Sequence, residues 1–260
     1  MGIPFAEVIG DPVAHSRSPA IHKGWLAELG IEGDFRATRV AAGELDGFLA
    51  GRRGDPDWRG CSVTIPHKRP VMRLLDRIDP RASAVGAVNC VVPGPDGLSG
   101  HNKDLDGLTA ALGRIVLEGR KVALIGTGGA ARAAIRYLLD SGVGQVAVLA
   151  RDPSLVERLG GARPLPLEAC DSAFQEATAI VNATPMGMTG ASAMPPWLLA
   201  SVAAHSSGTI LFDMVYEPAE TPFLATGRAN GAKCIGGLTM LVGQARAAFE
   251  LFFGRAPPLA

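Results

Sequence analysis

A glycine-rich turn between an apolar strand and a helix limits the fold of this chain more than any other feature of its sequence. Residues 121–125 read Lys-Val-Ala-Leu-Ile and predict a buried strand, which runs directly into Gly126-Thr-Gly-Gly-Ala-Ala131. A helix is predicted through Leu139, and residues 145–150 predict a second strand. Strand, glycine turn, helix and strand in this order are typical of a βαβ unit that binds a dinucleotide.

The turn supplies what a pyrophosphate requires from a protein backbone. Gly126 permits a tight turn, Gly128 lets the main chain approach the phosphates, and Ala131 is small enough for the helix to lie close to the strand. The free N–H groups of the helix N-terminus then face the phosphates. A plain glycine-rich turn in a parallel sheet is the alternative, but it does not need three small residues at this spacing. The predicted cofactor contacts are Gly126, Thr127, Gly128, Gly129 and Ala130.

The end of the second strand bears on which dinucleotide is bound. An NAD site usually places an acidic residue there, whereas this strand ends in Leu149-Ala150-Arg151-Asp152. The planar guanidinium of Arg151 suits a 2′-phosphate, because it can donate two parallel hydrogen bonds. Asp152 would repel that phosphate, unless it instead caps a helix that begins at residues 153–154. We therefore predict NADP as the cofactor, through Arg151, with NAD as an alternative.

Composition excludes several classes of function. Lys plus Arg and Asp plus Glu both number 25, so the chain lacks the basic excess of a nucleic-acid-binding domain. Apolar residues make up 47% of the chain, enough for a core, yet none of the apolar runs is as long as a membrane span. The N-terminus does not read as a signal peptide, and the four cysteines form no CxxC motif. These features predict a cytoplasmic protein with a small-molecule substrate, no nucleic acid, no membrane and no metal site, present as a monomer or homodimer.

The rest of the chain also alternates short strands and helices, which predicts the α/β fold class. In the first hundred residues, strands are predicted at residues 5–9, 61–65 and 87–92. One helix is predicted from Ser18, as N-cap, to Gly30. A second is predicted from the apolar spacing of Val71, Leu74, Leu75 and Ile78.

We predict a change of domain near Asn102. Residues 1–103 would form one α/β domain, and residues 104–236 a Rossmann-like, doubly wound dinucleotide-binding domain with later strands at 179–183, 210–213 and 233–235. A last helix, predicted at residues 238–253, would return to complete the first domain within residues 237–260.

Three polar clusters lie in the first domain, namely His15-Ser-Arg-Ser-Pro19, Thr64-Ile-Pro-His-Lys68 and Asn102-Lys-Asp104. N-capping could explain Ser18, and a favourable position at a helix N-terminus could explain Asp104. A lysine at a helix start opposes the helix dipole, so Lys68 favours a functional role. Gln244 lies on an otherwise apolar helix face, where it either has a polar partner in the core or points into a cleft.

Taken together, these segments resemble the shikimate dehydrogenases. The matching pieces follow the family's order and cover nearly the whole chain. They are His15–Pro19, Val63-Thr-Ile-Pro-His-Lys68, Gly86-Ala-Val-Asn89, Asn102–Asp104, Gly126–Ala131, Asn182-Ala-Thr184, Asp213-Met-Val-Tyr216 and Gly237-Leu-Thr-Met-Leu-Val-Gly-Gln244. This set is much more specific than the glycine turn alone.

The resemblance implies reversible, NADP-linked reduction of 3-dehydroshikimate to shikimate, on the route to chorismate and the aromatic amino acids. It implies that Lys68 and Asp104 are the catalytic pair, and that the substrate lies in a cleft between a substrate domain and the dinucleotide domain. The implied substrate ligands are Ser16, Ser18, Thr64, Asn89, Tyr216 and Gln244. Met214 and Gly237 match positions at the nicotinamide end of the cofactor site.

Four departures from the family pattern leave alternatives open. Ser62 stands where Asn is common, Lys103 where Thr is usual, Asp152 where Thr often follows the arginine, and Thr239 where Gly is common. One alternative is a quinate/shikimate dehydrogenase-like paralogue that uses NAD or NADP. Another is a dinucleotide-binding regulator without catalysis; it would be expected to have lost the Lys/Asp pair, which this sequence retains.

Overall fold

The computed structural model describes residues 2–157 and 160–258. The chain forms two compact units. The first unit comprises residues 1–106 and 242–260, and the second comprises residues 107–241.

The first unit is built on a mixed six-stranded sheet. Its strands, with the labels used below, are β1 (Phe5–Gly10), β2 (Asp34–Arg39), β3 (Trp58–Val63), β4 (Arg77–Ile78), β5 (Cys90–Gly94) and β6 (Gly97–His101). The order across the sheet is β2-β1-β3-β5-β6-β4. β1 runs parallel to both of its neighbours, while β5 is antiparallel to β3 and β6. The neighbouring strands β1 and β3 therefore deliver their following loops to the same edge of the sheet.

The second unit is built on a six-stranded sheet that is parallel throughout. Its strands are β7 (Lys121–Ile125), β8 (Gln145–Ala150), β9 (Arg163–Pro166), β10 (Ala179–Asn182), β11 (Ile210–Asp213) and β12 (Lys233–Ile235). The order is β12-β11-β10-β7-β8-β9, so the chain winds outward from β7 in one direction and then from β10 in the other. This is the doubly wound arrangement, and it confirms the predicted fold class. Its ligand site is expected beyond the carboxyl ends of the central strands, where the glycine turn follows β7.

Helices cover these sheets. Within the described residues they are α1 (Ser18–Glu28), α2 (Leu45–Arg52), α3 (Pro80–Val85), α4 (Asp104–Leu112), α5 (Gly129–Asp140), α6 (Ser154–Glu157), α7 (Cys170–Phe174), α8 (Pro196–His205), α9 (Pro222–Ala229) and α10 (Gly237–Phe253). Of the helices in these residues, none is both long enough and apolar enough to cross a membrane.

The predicted capping of α1 by Ser18 is wrong. Arg17 occupies the N-cap position without a side-chain hydrogen bond, and Ser18 is the first helical residue. The hydroxyl that reaches the helix start belongs to Ser16, whose Oγ accepts from the Ser18 N–H at 3.3 Å. The N-cap therefore lies one residue earlier than the Ser-Pro pair indicated.

The helix predicted from Val71 to Ile78 is also wrong. Residues Pro70–Leu74 form a short 3₁₀ helix, and Leu75 is extended, with φ −99° and ψ 147°. Ile78 then pairs with Gly100 in β4 and β6. The apolar spacing arises because Val71 packs in the core and Ile78 lies against the same core cluster from a strand. Strands β3 and β5 likewise run over Trp58–Val63 and Cys90–Gly94, shifted from the predicted 61–65 and 87–92.

Candidate active site

The turn that carries Lys68 is fixed by backbone hydrogen bonds. It follows β3, and the His67 N–H donates to the Thr64 carbonyl at 2.8 Å. The Lys68 carbonyl accepts from the Val88 N–H at 2.8 Å, and the ring of His67 is buried with Nε2 2.6 Å from the Val40 carbonyl oxygen. These contacts hold the base of the Lys68 side chain in one place.

The Lys68 ammonium makes an ion pair with Asp104, the first residue of α4. The Nζ atom donates to Oδ2 at 2.6 Å. Both side chains are largely shielded from water, with 15% of Lys68 and 6% of Asp104 exposed. A charge-assisted hydrogen bond this short fixes the direction of the ammonium. Because both groups are buried, each charge is stabilised mainly by the other.

Asn89 links this pair to α10 and to the residue before Asp104. Its Nδ2 donates to Asp104 Oδ1 at 2.9 Å, and it lies 3.5 Å from Oε1 of Gln244 on α10. Its Oδ1 accepts from the Lys103 N–H at 2.6 Å. Asp104 is thus held at both oxygens, one by an ammonium and one by an amide. Four of the predicted site residues, Lys68, Asn89, Asp104 and Gln244, are joined by these contacts.

The remaining predicted site residues of the first unit lie beyond the carboxyl ends of β1 and β3. Ser16 and Ser18 stand where the chain enters α1. Thr64 follows β3 directly, and its N–H donates to the Ile9 carbonyl at 2.9 Å. No contact that the structure describes joins their side chains to the Lys68–Asp104 pair.

Ser62 is a further polar group near this edge. From the sequence it was noted only as a departure from the family pattern. It lies in β3, two residues before Thr64, which follows the strand. The Ser62 Oγ is buried and has no hydrogen-bond partner within the described residues. A buried hydroxyl normally has a partner, so this one is available to a ligand or a water molecule.

In the second unit, the glycine turn has the geometry that a dinucleotide requires. Gly126 has φ +118°, and a Cβ there would lie 2.9 Å from Thr184 Cγ2 and 3.0 Å from the Ala183 carbonyl oxygen. Gly128 is the N-cap of α5, no side chain caps that helix, and no described protein atom lies within 4 Å of where its Cβ would be. The first turn of α5 therefore presents uncovered N–H groups, and these residues fit the phosphates of a dinucleotide.

The end of β8 carries the pair that bears on cofactor choice. Arg151 and Asp152 are both exposed. Oδ1 of Asp152 accepts from both the N–H and the hydroxyl of Ser154, at 3.1 and 2.7 Å. Asp152 therefore bonds to the first residue of α6, as the capping alternative expected. The carboxylate is held in a local turn beside Arg151, where it adds a negative charge.

Met214, Tyr216 and Gly237 lie in and beside the loop after β11. A Cβ on Gly237 would lie 2.4 Å from the Met214 carbonyl oxygen, so only glycine fits this close approach. The Gly237 N–H donates to the Val215 carbonyl at 3.3 Å. The structure thus brings Met214 and Gly237 together, and it places Tyr216 further along the same loop.

A buried carboxylate, Asp213, precedes this loop, and sequence reasoning gave it no role. It accepts hydrogen bonds from the side chains of Asn182 and Thr221 and from the Val215 N–H. Burial raises the pKa of Asp213 to about 6, while its three donors oppose that rise. The sequence does contain a signal for this residue, because Asp213 is an acidic residue at the carboxyl end of an apolar strand. Parallel sheets bind their ligands at that edge.

Two family models match the chain. Residues 8–91 match the shikimate dehydrogenase substrate binding domain, and residues 237–260 match the shikimate 5′-dehydrogenase C-terminal domain. Among curated relatives, the shikimate dehydrogenase (NADP(+)) of Sphingopyxis alaskensis is 44% identical over 98% of this chain and 93% of its own length. That of Maricaulis maris is 38% identical over 97% of this chain and 91% of its own length.

Solved structures agree with these relatives. The shikimate 5-dehydrogenase of Thermus thermophilus, in complex with NADP(H) and shikimate, has a TM-score of 0.85 and 35% identity, covering 98% of this chain and 95% of its own. The enzyme of Listeria monocytogenes, in complex with shikimate and NAD, has a TM-score of 0.86 and 29% identity, covering 98% and 93%.

Proposed function

The chain belongs to the shikimate dehydrogenase family, and we propose that it catalyses the reversible, NADP-linked reduction of 3-dehydroshikimate to shikimate. The observation that carries this proposal is the buried Lys68–Asp104 pair, in a chain 44% identical to a shikimate dehydrogenase over nearly its full length. We assign substrate binding to the first unit and dinucleotide binding to the second.

We assign proton transfer to Lys68. When bound, the dinucleotide supplies or accepts the hydride. As a hydride adds to the carbonyl carbon, negative charge develops on its oxygen, and the Lys68 ammonium can stabilise and protonate that oxygen. In the reverse direction the neutral amine takes the hydroxyl proton. Asp104 keeps Nζ directed, at 2.6 Å.

The hydroxyl and amide groups of the first unit suit a polyol substrate. Ser16, Ser18, Thr64, Asn89 and Gln244 are proposed as its ligands, with Tyr216 of the second unit added on the family resemblance. A site that bonds each hydroxyl discriminates strongly against analogues that lack one, because its own polar groups are then left unpaired. Asn89 is preorganised for this role by bonds at both ends of its amide.

The second unit is proposed to hold the cofactor along the glycine turn and at the end of β8. The pyrophosphate would lie at the N-terminus of α5, against residues 126–130. Arg151 would bind the 2′-phosphate of NADP, and Met214 and Gly237 would line the nicotinamide end. The carboxylate of Asp152 beside Arg151 favours some use of NAD as well.

Steady-state turnover tests the proposal directly. Shikimate and quinate are each offered with NADP⁺ and with NAD⁺, and kcat/KM is measured for the four combinations. We expect the highest value for shikimate with NADP⁺. A higher value for quinate would replace the substrate assignment, and no turnover in any combination would contradict the proposed activity.

A further inference from the structure

We propose that Asp213 is a positioning residue for the cofactor, because it holds the loops after β10 and β11 in one arrangement beside the glycine turn. This inference rests on the proposed function, since it concerns how the second unit binds its dinucleotide. Asp213 itself is fully buried and is not expected to touch the cofactor.

Three segments converge on this carboxylate. Its Oδ1 accepts from Asn182 Nδ2 and from the Val215 N–H, each at 3.0 Å, and its Oδ2 accepts from Thr221 Oγ1 at 2.6 Å. Thr221 in turn accepts from the Leu224 N–H and caps α9. One side chain therefore fixes the end of β10, the loop after β11 and the start of α9.

Asn182 carries the same constraint into the loop after β10. Its Nδ2 also donates to the Met186 carbonyl at 3.2 Å, and its Oδ1 accepts from the N–H and hydroxyl of Thr184 at 3.1 and 2.7 Å. Thr184 Oγ1 also accepts from the Met186 N–H at 3.1 Å. The orientation of the Asn182 amide, and with it the path of residues 183–186, depends on the acceptor that Asp213 provides.

Both loops contact the backbone that is proposed to hold the cofactor. Thr184 and Ala183 fill the space beside Gly126, and the Met214 and Val215 carbonyls pack on Gly237. The Met214 N–H donates to the Asn182 carbonyl at 3.0 Å, which joins the two loops to each other. A change in the Asp213 contacts is thereby passed to both ends of the proposed dinucleotide site.

The ionised form of Asp213 is the one that matches its surroundings. All three of its partners are donors, so a protonated carboxyl would bring a fourth donor that needs an acceptor. Burial raises the pKa of Asp213 to about 6, so this change falls near that pH. The other titratable side chains on the loop after β11, α8, α9 and β12 are Tyr216, Glu217, Glu220, Arg228, Lys233, Cys234 and His205, of which Glu220 and Arg228 pair with each other at 3.0 Å.

Equilibrium binding of NADPH, followed by its fluorescence in the absence of substrate, tests the inference. We expect Asp213→Ala to weaken NADPH binding about tenfold, with KM for NADP⁺ raised more than kcat is lowered. Asp213→Asn keeps an acceptor for Val215 and Asn182 but puts an amide donor where Oδ2 accepts from Thr221, so we expect its binding at pH 7.5 to lie between those of wild type and Asp213→Ala. Asp171→Ala is the matched control, because it removes a carboxylate that accepts from Ser201 and should leave binding unchanged.

A pH series keeps the test decisive if Asp213→Ala does not fold. For wild type, NADPH binding should weaken as pH falls through about 6, and this step should be reduced in Asp213→Asn. The 2′-phosphate of NADPH titrates over the same pH range, but it does so equally with both proteins. The difference between the two pH profiles of NADPH binding is therefore due to residue 213. NADPH binding that is unchanged in Asp213→Ala, or identical pH profiles for wild type and Asp213→Asn, would overturn the inference.

Because NADPH binding is the readout, the result of this test is independent of whether the protein turns over shikimate.

Discussion

The Lys68 ammonium and the Asp104 carboxylate lie 2.6 Å apart, although 36 positions separate them in the chain. Lys68 is held by the turn after β3, and Asp104 by the start of α4 and by Asn89. Because Asp104 is bonded at both oxygens, it does not need to move to direct the ammonium. The pair therefore presents an ammonium of fixed direction at the edge of the sheet where the candidate substrate ligands are found.

Replacing Asn89 should weaken both the fold and the site. Asn89→Ala leaves the partly buried Lys103 N–H and one oxygen of the buried Asp104 without their partner. We expect the free energy of unfolding to fall by about 1–3 kcal/mol. We also expect KM for shikimate to rise. Denaturant titration and steady-state kinetics measure the two effects.

Asn230→Ala is the control for the Asn89 variant. It removes an exposed amide that donates to the Thr226 carbonyl at 2.9 Å, and both quantities should stay near their wild-type values. Equal losses in the two variants would argue against a special role for Asn89.

Cofactor preference should depend on the charge of Asp152. Asp152→Thr removes a carboxylate beside Arg151, so the ratio of kcat/KM for NADP⁺ over NAD⁺ should rise. Both side chains are exposed, which limits the expected change to about two- to fivefold.

Asp152→Asn separates charge from capping, because it keeps an acceptor for Ser154. It should shift the ratio in the same direction, whereas Asp140→Asn, at an exposed carboxylate of the same unit, should not. A ratio that changes only in Asp152→Thr would show that the turn matters and the charge does not.

The loss of folding stability at acidic pH should depend on His22. Its ring is fully buried, stacked on Phe35 with 3.9 Å between ring centroids, and neither ring nitrogen has a hydrogen-bond partner in the described part of the chain. Burial lowers the pKa of His22 from 6.5 to about 3. Between these pH values the unfolded chain binds more protons, so the free energy of unfolding falls as pH is lowered through that window.

His22→Phe removes this titration while keeping a planar ring. The fall in unfolding free energy between pH 6.5 and 4.5 should then be shallower, by up to about 1.4 kcal/mol per pH unit. Urea titrations at several pH values measure the slope, with the exposed His15→Gln as control. An unchanged slope in His22→Phe would contradict a neutral buried His22.

The central strands of the second unit are predictable from sequence because they are buried on both faces, whereas the edge strand β9 is largely uncovered and was missed. Strands such as β7 and β8 read as continuous apolar runs, and the predicted bounds 121–125 and 145–150 agree with the structure. By contrast β2, with the sequence Asp-Phe-Arg-Ala-Thr-Arg, lies at a sheet edge and buries only Phe35, so it has no apolar pattern to detect. The helix α2 was missed for a related reason, since Gly47 and Gly51 interrupt it.

The candidate site was predictable only in part. Local chemistry singled out Lys68, and the family resemblance was needed to pair it with Asp104, because neither periodicity nor spacing joins residues on different elements. The partners of Asn89 and the convergence of loops on Asp213 depend on tertiary contacts that no local pattern encodes. Ser62 was noted as a departure, but its unpartnered hydroxyl is visible only in the fold.

The central claim, that Lys68 transfers the proton in an NADP-linked reaction on shikimate, is tested most directly by the turnover of Lys68→Ala. We expect kcat to fall about 100-fold or more, as for a lost general acid. NADPH binding should stay near wild type, and Lys23→Ala, which removes an exposed lysine paired with Asp34, should retain full activity. A Lys68→Ala enzyme that turns over shikimate at the wild-type rate would contradict the account.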